Sequence, residues 1–502
     1  SAHSQSQYFP LVYSTLRLEH ALWGFNAVGY HLVNVCLHIG NALLVWALLR
    51  RLAVTGAWLA AAIFALHPVQ VETVAWVTEL KNTESTLFYL LALFAWLRFC
   101  AGKGGWYYLV ALALHMLALF AKTTACTLPA AMLLVLWLTN MPTGWRRLVQ
   151  VLPFLLLGFG MGLLSVWWEK HLGNYEPKFH LLGGPVDRLL IATHALWFYA
   201  GKLLWPSDLT FSYPHWDINA SQWPQFGWLV GCLTVAAVLW FGRRKFGRNP
   251  AIGIVFFVAA LSPMLGFIPL YTFYFSYVAD HYQYLACLGI IALVASGLTH
   301  WFAYWRAPWG AQATLTGILL CFLGLLTWRQ CHIYQNLETL WSDTLQKNPR
   351  CWMAHTNLGR LLAQAGNFAE AETHYQAALA VKPDEDNAHY NYGNLLARTG
   401  RLDEAINQYR IALEIAPEKP EAHNNLGFVL SKLHRNADAI TEFEQAISLK
   451  PDFSDAYYNL GAALTAEHRT AEAIAAYQHG LKLNPDSESF KKRLQALGVP
   501  TN

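Results

Sequence analysis

The chain has 502 residues, 55% of them hydrophobic and only 13% charged, roughly half the charge density of a soluble globular protein. Its net charge of +4 comes from short Lys/Arg clusters between apolar runs, a topology signal that excludes a nucleic-acid-binding role. Residues 1–333 hold 19 Lys/Arg and 10 Asp/Glu, and residues 334–502 hold 16 and 21, so a lipid-adapted part precedes a water-adapted one.

The chain begins with a polar stretch and no initiator Met, as a piece of a longer protein would. Apolar runs of membrane-spanning length are expected at 30–49, 57–70, 84–99, 106–121, 124–139, 148–168, 224–241, 250–271, 284–302 and 311–330. Basic residues are retained on the cytoplasmic side. Arg50–Arg51, Arg98 with Lys103, Arg146–Arg147, Arg243–Arg244–Lys245 with Arg248, and Arg306 therefore set the orientation. The run 188–205 fits this pattern only if it lies in the interface or re-enters; the alternative is a true span with a missed neighbour. The outer loops are then 1–29, 68–83, 122–123, 169–223 and 272–283. A further span upstream of Ser1 would bring the total to eleven, and the C-terminal part emerges on the outer side. Trp (22) and Tyr (23) are abundant, as in interfacial belts.

Polar groups next to the membrane are expensive and mark candidate sites. The hairpin after the second run carries His67, Glu72, Glu79 and Lys81, whose carboxylate, imidazole and amine groups suit acid/base or ligand roles; capping of helix ends is the plainer alternative. Lys122, between two apolar runs, can meet a lipid phosphate or snorkel to the interface. Asp280-His281-Tyr282 opens another span on the same side. Eight Cys are scattered with no CxxC spacing, so neither a zinc nor a redox motif is expected. No cofactor is implied and no metal site is assigned.

From residue 352 the sequence repeats with a period of 34. Gly359, Gly393, Gly427 and Gly461 keep the step, as do Ala371, Ala405, Ala439 and Ala473, the aromatics Tyr375, Tyr409, Phe443 and Tyr477, and Pro383, Pro417, Pro451 and Pro485. This is the tetratricopeptide-repeat (TPR) pattern. The expected organisation is all-α: a multi-span membrane domain at 1–333, a degenerate half-repeat linker at 334–351, four repeats at 352–487, and a capping helix and tail at 488–502. A further ladder, Asn357, Asn391, Asn425 and Asn459, falls on the first helix of each repeat. Its amides can bind an extended peptide backbone, or tie neighbouring helices together.

Six stretches, "GYHLVNVCLHIGNALL" (29–44), "FALHPVQVETVAWVTELKNTEST" (64–86), "ALFAKTTACTLP" (118–129), "LLWPSDLTFSYP" (203–214), "ADHYQYL" (279–285) and the TPR array, resemble the transmembrane-and-TPR-containing O-mannosyltransferases and their bacterial relatives. The resemblance implies a GT-C-type membrane fold with its site on the outer face. It implies transfer of a sugar from a polyprenyl-phosphate carrier to protein Ser or Thr, with the TPR array holding an acceptor polypeptide or partner. It implies His67, Glu72, Glu79 and Lys81 around the reacting sugar-phosphate, and Lys122, Asp280, His281 and Tyr282 toward the carrier. The base would be an acid in a motif upstream of Ser1. A bacterial inner membrane with a periplasmic TPR array is the expected location. Where many bacterial relatives have Glu-Arg-Lys-Asp and Asp-Arg-Tyr, this chain has Glu79-Leu80-Lys81-Asn82 and Asp280-His281-Tyr282. These departures leave open a membrane scaffold that has lost catalysis.

Overall fold

The computed structural model describes residues 8–142, 144–171, 183–268 and 271–500. The chain divides into two compact units, Ser1–Asn336 and Leu337–Asn502, and no strand occurs among the described residues.

The first unit runs through α1 (Pro10–Trp23), α2 (Ala27–Arg51), α3 (Ala57–Leu66), the single-turn α4 (Val71–Ala75), α5 (Leu80–Cys100), α6 (Trp106–Ala121), α7 (Leu128–Leu138), α8 (Trp145–His171), α9 (Pro185–Leu204), α10 (Gly227–Phe246), α11 (Asn249–Leu261), α12 (Cys287–Tyr304) and α13 (Trp309–Ile333). Every run expected to span coincides with a helix, but not all are full spans. Five helices (α2, α8, α10 with its preceding turn, α12 and α13) are long and apolar enough to cross a membrane. A sixth candidate is bent by 54° between Ala57–Leu66 and Pro68–Ala75. Three apolar helical segments are shorter: Trp106–Ala121, Thr123–Leu138 and Asn249–Met264.

Two expectations are corrected by proline. The span expected at 57–70 stops at Leu66, because a residue before proline is driven out of the helical region. His67 is accordingly extended, and its ring accepts the Val69 N–H to cap the next turn. The span expected at 250–271 ends at Leu261, followed by a tight turn through Pro263. At the start of α3, Gly56 has a φ of +75°, and a Cβ there would lie 2.6 Å from the Ala295 carbonyl oxygen. Only glycine permits both that turn and that approach to α12.

Helix α9 is tied at both ends to neighbouring segments of the same unit. Near its start, the Ala220 N–H donates to Asp187 at 3.2 Å and Arg188 donates to the Phe267 carbonyl at 3.4 Å. Near its end, the Ala279 N–H donates to the Tyr199 hydroxyl at 3.2 Å, and the His67 ring meets the Leu203 carbonyl at 3.0 Å.

The second unit comprises α14 (Leu337–Lys347), four helix pairs α15–α22 (Trp352–Ala365, Phe368–Val381, Asp386–Arg398, Leu402–Ile415, Pro420–Lys432, Asn436–Leu449, Ser454–Ala466, Thr470–Leu483) and α23 (Glu488–Ala496). The repeated glycines face the repeated aromatics. A Cβ at Gly359, Gly393, Gly427 or Gly461 would sit 3.0, 2.8, 2.8 or 2.5 Å from the ring of Tyr375, Tyr409, Phe443 or Tyr477. The missing side chain is what lets each pair close over a buried ring. Helix α23 buries Phe490 and Leu494 against the last pair, covering the apolar face an array would otherwise expose.

Candidate functional site

A buried polar cluster forms where the broken α3–α4 hairpin meets the turn before α12. The break at His67-Pro68 swings α4 sideways, and α4 presents Glu72. One Glu72 oxygen accepts the His281 backbone N–H at 3.0 Å, and the other lies 3.0 Å from His281 Nδ1. Glu79 stands at the N-terminus of α5, where the helix dipole favours a negative charge. It contacts Lys81 Nζ at 2.8 Å and lies 3.8 Å from His281 Nε2. The imidazole thus sits between two carboxylates.

Asn82 joins the parts. Its amide N–H groups donate to Glu79 at 2.5 Å and to the His281 carbonyl at 3.2 Å, and its oxygen accepts from Lys122 Nζ at 2.5 Å. Lys122 follows the C-terminus of α6, the end of a helix that favours a cation. Burial acts to raise the Glu79 carboxyl, but His281, Lys81 and Lys122 overcome it and hold it at about 2. Burial is likewise the main influence on Lys122 and brings it down to about 8, with Glu79 opposing. Asp280 accepts from the Tyr213 hydroxyl with both oxygens at 3.1 Å. Burial and the Asp280 charge push that phenol well above its ordinary range, so it remains a donor.

Lys81, Lys122 and His281 share the wall of one cavity of about 150 Å³ with Phe9 and Tyr282. Val166, Met264 and Ile268 supply apolar lining, and Glu169 a further acid. The Lys81 ammonium is 5.5 Å from the Phe9 ring and 6.0 Å from that of Trp76, within cation–π range. Three nitrogen-bearing side chains beside an apolar wall can receive an anionic head on a hydrophobic tail. Among the described residues, no group of three or more His, Cys, Asp or Glu is placed to hold a metal ion.

Glu72, Glu79, Lys81, Lys122, Asp280, His281 and Tyr282 therefore come together, and His67 does not. Its ring contacts the Leu203 carbonyl on one side and caps the Pro68 turn on the other, so the expected catalytic role gives way to a structural one. The sequence reading missed Asn82 as the bridge and Tyr213 as the partner of Asp280. Asn82 was legible only as a departure from a family pattern, and Tyr213 lies 67 residues from Asp280, beyond any local signal.

The Asn ladder is largely engaged internally. Asn357 donates to the Met353 carbonyl of its own helix at 2.9 Å. Asn425 donates to Asn394 at 2.8 Å and to the Tyr390 hydroxyl at 3.2 Å, and Asn459 to Asn424 at 2.9 Å. Asn391 is half-buried. Of the two readings of the ladder, tying neighbouring helices describes Asn425 and Asn459, while Asn357 bonds within its own helix. All eight cysteines are free thiols.

Comparison with known proteins bears on both units. Residues 7–168 match the family model described as dolichyl-phosphate-mannose-protein mannosyltransferase. Residues 338–380, 356–420, 435–467 and 454–487 match tetratricopeptide-repeat models. The chain is 29% identical to the human protein O-mannosyl-transferase TMTC2 over 43% of its own length and 28% of that protein's. It is 27% identical to Tmtc1 of Drosophila melanogaster over 76% of its length and 55% of the relative's. The human TMTC4 is 26% identical over 74% of this chain and 58% of the relative. The chain thus spans between about a quarter and three-fifths of the length of these relatives. The resemblance read from the sequence is matched by these similarities, to a mannosyltransferase model over residues 7–168 and to TPR models in the C-terminal part.

Proposed function

We propose that the membrane unit transfers a mannose-type sugar from a polyprenyl-phosphate carrier to Ser or Thr of a polypeptide on the extracytoplasmic side. The observation that carries this reading is the convergence of Lys81, Lys122 and His281 on one cavity, backed by buried Glu72 and Glu79. Positive charge fixed at the carrier phosphate stabilises the departing group as its bond to the sugar breaks. Glu72 orients the His281 ring, Glu79 the Lys81 ammonium, and Asn82 holds the Lys122 ammonium toward the cavity. The carrier's apolar tail runs past Met264 and Ile268. The repeat unit, placed outside by the charge rule, receives the acceptor polypeptide or a partner. In bacteria such a chain lies in the inner membrane with its repeats in the periplasm.

The test is transfer of labelled mannose from a polyprenyl-phosphate donor to acceptor protein in membranes bearing the full-length protein. Lys122→Ala and Glu72→Gln are expected to abolish transfer while the protein remains membrane-inserted and monodisperse. Transfer unchanged in both variants overturns the reading.

One observation favours a second reading, a non-catalytic scaffold whose repeats assemble a membrane complex. Lys81 is neutralised by Glu79, and His281 is flanked by Glu72, so part of the cluster compensates its own charge. On that reading wild-type membranes transfer no mannose, and partner proteins co-purify with the chain through its repeats.

A further inference from the structure

Away from the cluster, α10 has an unusual setting. No residue along it is buried. It is held at its outer end, where a Cβ on Gly231 would lie 2.9 Å from the Trp197 ring. There Trp197 also donates to the Trp228 carbonyl at 3.1 Å, and His194 stacks on Trp228 with centroids 4.5 Å apart. At the other end a short turn leads directly into α11. Between these two attachments the helices part and leave a groove of about 560 Å³.

The groove walls are apolar: Leu196 and Ala200 of α9, Ala236 and Leu239 of α10, Ile254 and Val255 of α11. Along α10 it runs from Cys232 to Arg243, about 16 Å at 1.5 Å per residue. That length matches one leaflet of a hydrocarbon core about 30 Å thick. Its cytoplasmic mouth is basic. Arg243 and Arg248 line it, and Arg244 and Lys245 follow on the same turn. Arg248 is aimed by a hydrogen bond to the Leu138 carbonyl at 3.1 Å, and the Arg243 guanidinium rests 4.2 Å from the Trp240 ring centroid. Planar guanidinium groups at the headgroup level bind phosphate in paired hydrogen bonds.

We propose that this groove is a binding site for an anionic phospholipid of the cytoplasmic leaflet, with an acyl chain between α10 and α11 and the phosphate at Arg243 and Arg248. The charge complementarity and the single-leaflet length together select this occupant. A polyprenyl carrier engaged at the Lys122 cavity would present its phosphate on the opposite side of the membrane. The site is independent of the transfer reaction.

The test uses the full chain in nanodiscs of phosphatidylcholine with or without phosphatidylglycerol, followed by native mass spectrometry of retained lipid. Wild type is expected to retain phosphatidylglycerol over phosphatidylcholine, and added inorganic phosphate is expected not to displace it. Each basic side chain near a membrane surface contributes about fivefold, so Arg243→Ala with Arg248→Ala lowers retention roughly 25-fold. Ala236→Trp, which fills the groove, has the same effect with the arginines intact. Should that variant not fold, the double arginine variant decides, because both guanidiniums sit at the rim. Equal retention of the two lipids, unchanged retention in the arginine variant, or a polyprenyl chain or polypeptide found in the groove each overturns the proposal.

Discussion

Polar side-chain contacts occur in both units, but those of the repeat unit recur with its period. There His355, His389 and His423, each 34 residues from the next, meet the carbonyls of Pro349, Pro383 and Pro417 at 3.1, 2.9 and 3.1 Å. Their other ring nitrogens reach His374, Gln408 and Glu442, always 19 residues on. Arg401–Glu404, Arg435–Asp438 and Arg469–Glu472 recur in the same way on the surface. Such contacts serve the architecture, because every helix pair must solve the same packing problem. In the membrane unit, Glu72, Glu79, Asn82, Lys122, Asp280 and His281 come from separate turns more than 200 residues apart in places, with no period. Desolvating such groups costs several kcal/mol per ion. Repetition therefore marks a structural contact, and the unrepeated buried cluster is the candidate site.

Substitutions can break or sharpen this contrast. The largest effect is expected for Glu79→Gln, which leaves Lys81 and Lys122 without their buried counter-charge. The loss is about 3–5 kcal/mol, read as a lowered unfolding midpoint of the purified protein. The Glu79 carboxyl is held at about 2 against an ordinary 4.5. Its depressed value means the stabilisation is present above the ordinary value and fades as pH falls toward about 2. The deficit of the Gln variant should shrink across that window, and a pH-independent deficit would assign Glu79 to packing alone.

In the repeat unit, Gly461→Val drives a branched side chain into the Tyr477 ring. Overpacking of this kind costs about 1–3 kcal/mol, measurable by denaturant titration of the full chain followed by circular dichroism. A neutral result would mean that the helix pair can open without penalty.

The pH profile of transfer probes the cluster again. Lys122, lowered to about 8 by burial, loses its proton as pH rises through that value. Initial transfer rates should fall by up to about tenfold per pH unit above it. A flat profile through pH 9 would separate Lys122 from the phosphate.

The smallest effect belongs to the His423–Glu442 pair. The hydrogen bond to Glu442 is the main cause that raises the His423 imidazole above 6.5. The pair's contribution is thus complete below the ordinary histidine value and disappears as pH rises through the raised one. Being only partly buried, it is worth about 1 kcal/mol or less. His423→Gln should cost no more than that at pH 6 and nothing at pH 9. A larger loss would place this histidine outside the architectural class.

The two units also differ in how far their sequences reveal them. A period of 34 displays the glycines, aromatics and prolines directly, because each recurrence restates one local contact. The membrane helices are legible as apolar runs, but the breaks at His67-Pro68 and Pro263 shorten two of them. Most of the cluster was found from its charge in an apolar setting. The bridging Asn82 was not, because an amide next to a span carries no distinctive signal until its three partners are in place. Nor was the His ladder, whose second contacts vary from His374 to Gln408 to Glu442 while the geometry stays constant.

The glycine-over-ring contact in the TPR pairs has a consequence for descent as well as for packing. Because the joint is completed within a block of 34 residues, gain or loss of a whole block leaves every remaining joint intact, provided α23 still closes the end. The array's reach is then a freely adjustable quantity, able to lengthen or shorten over generations while the ionic cluster of the other unit stays fixed.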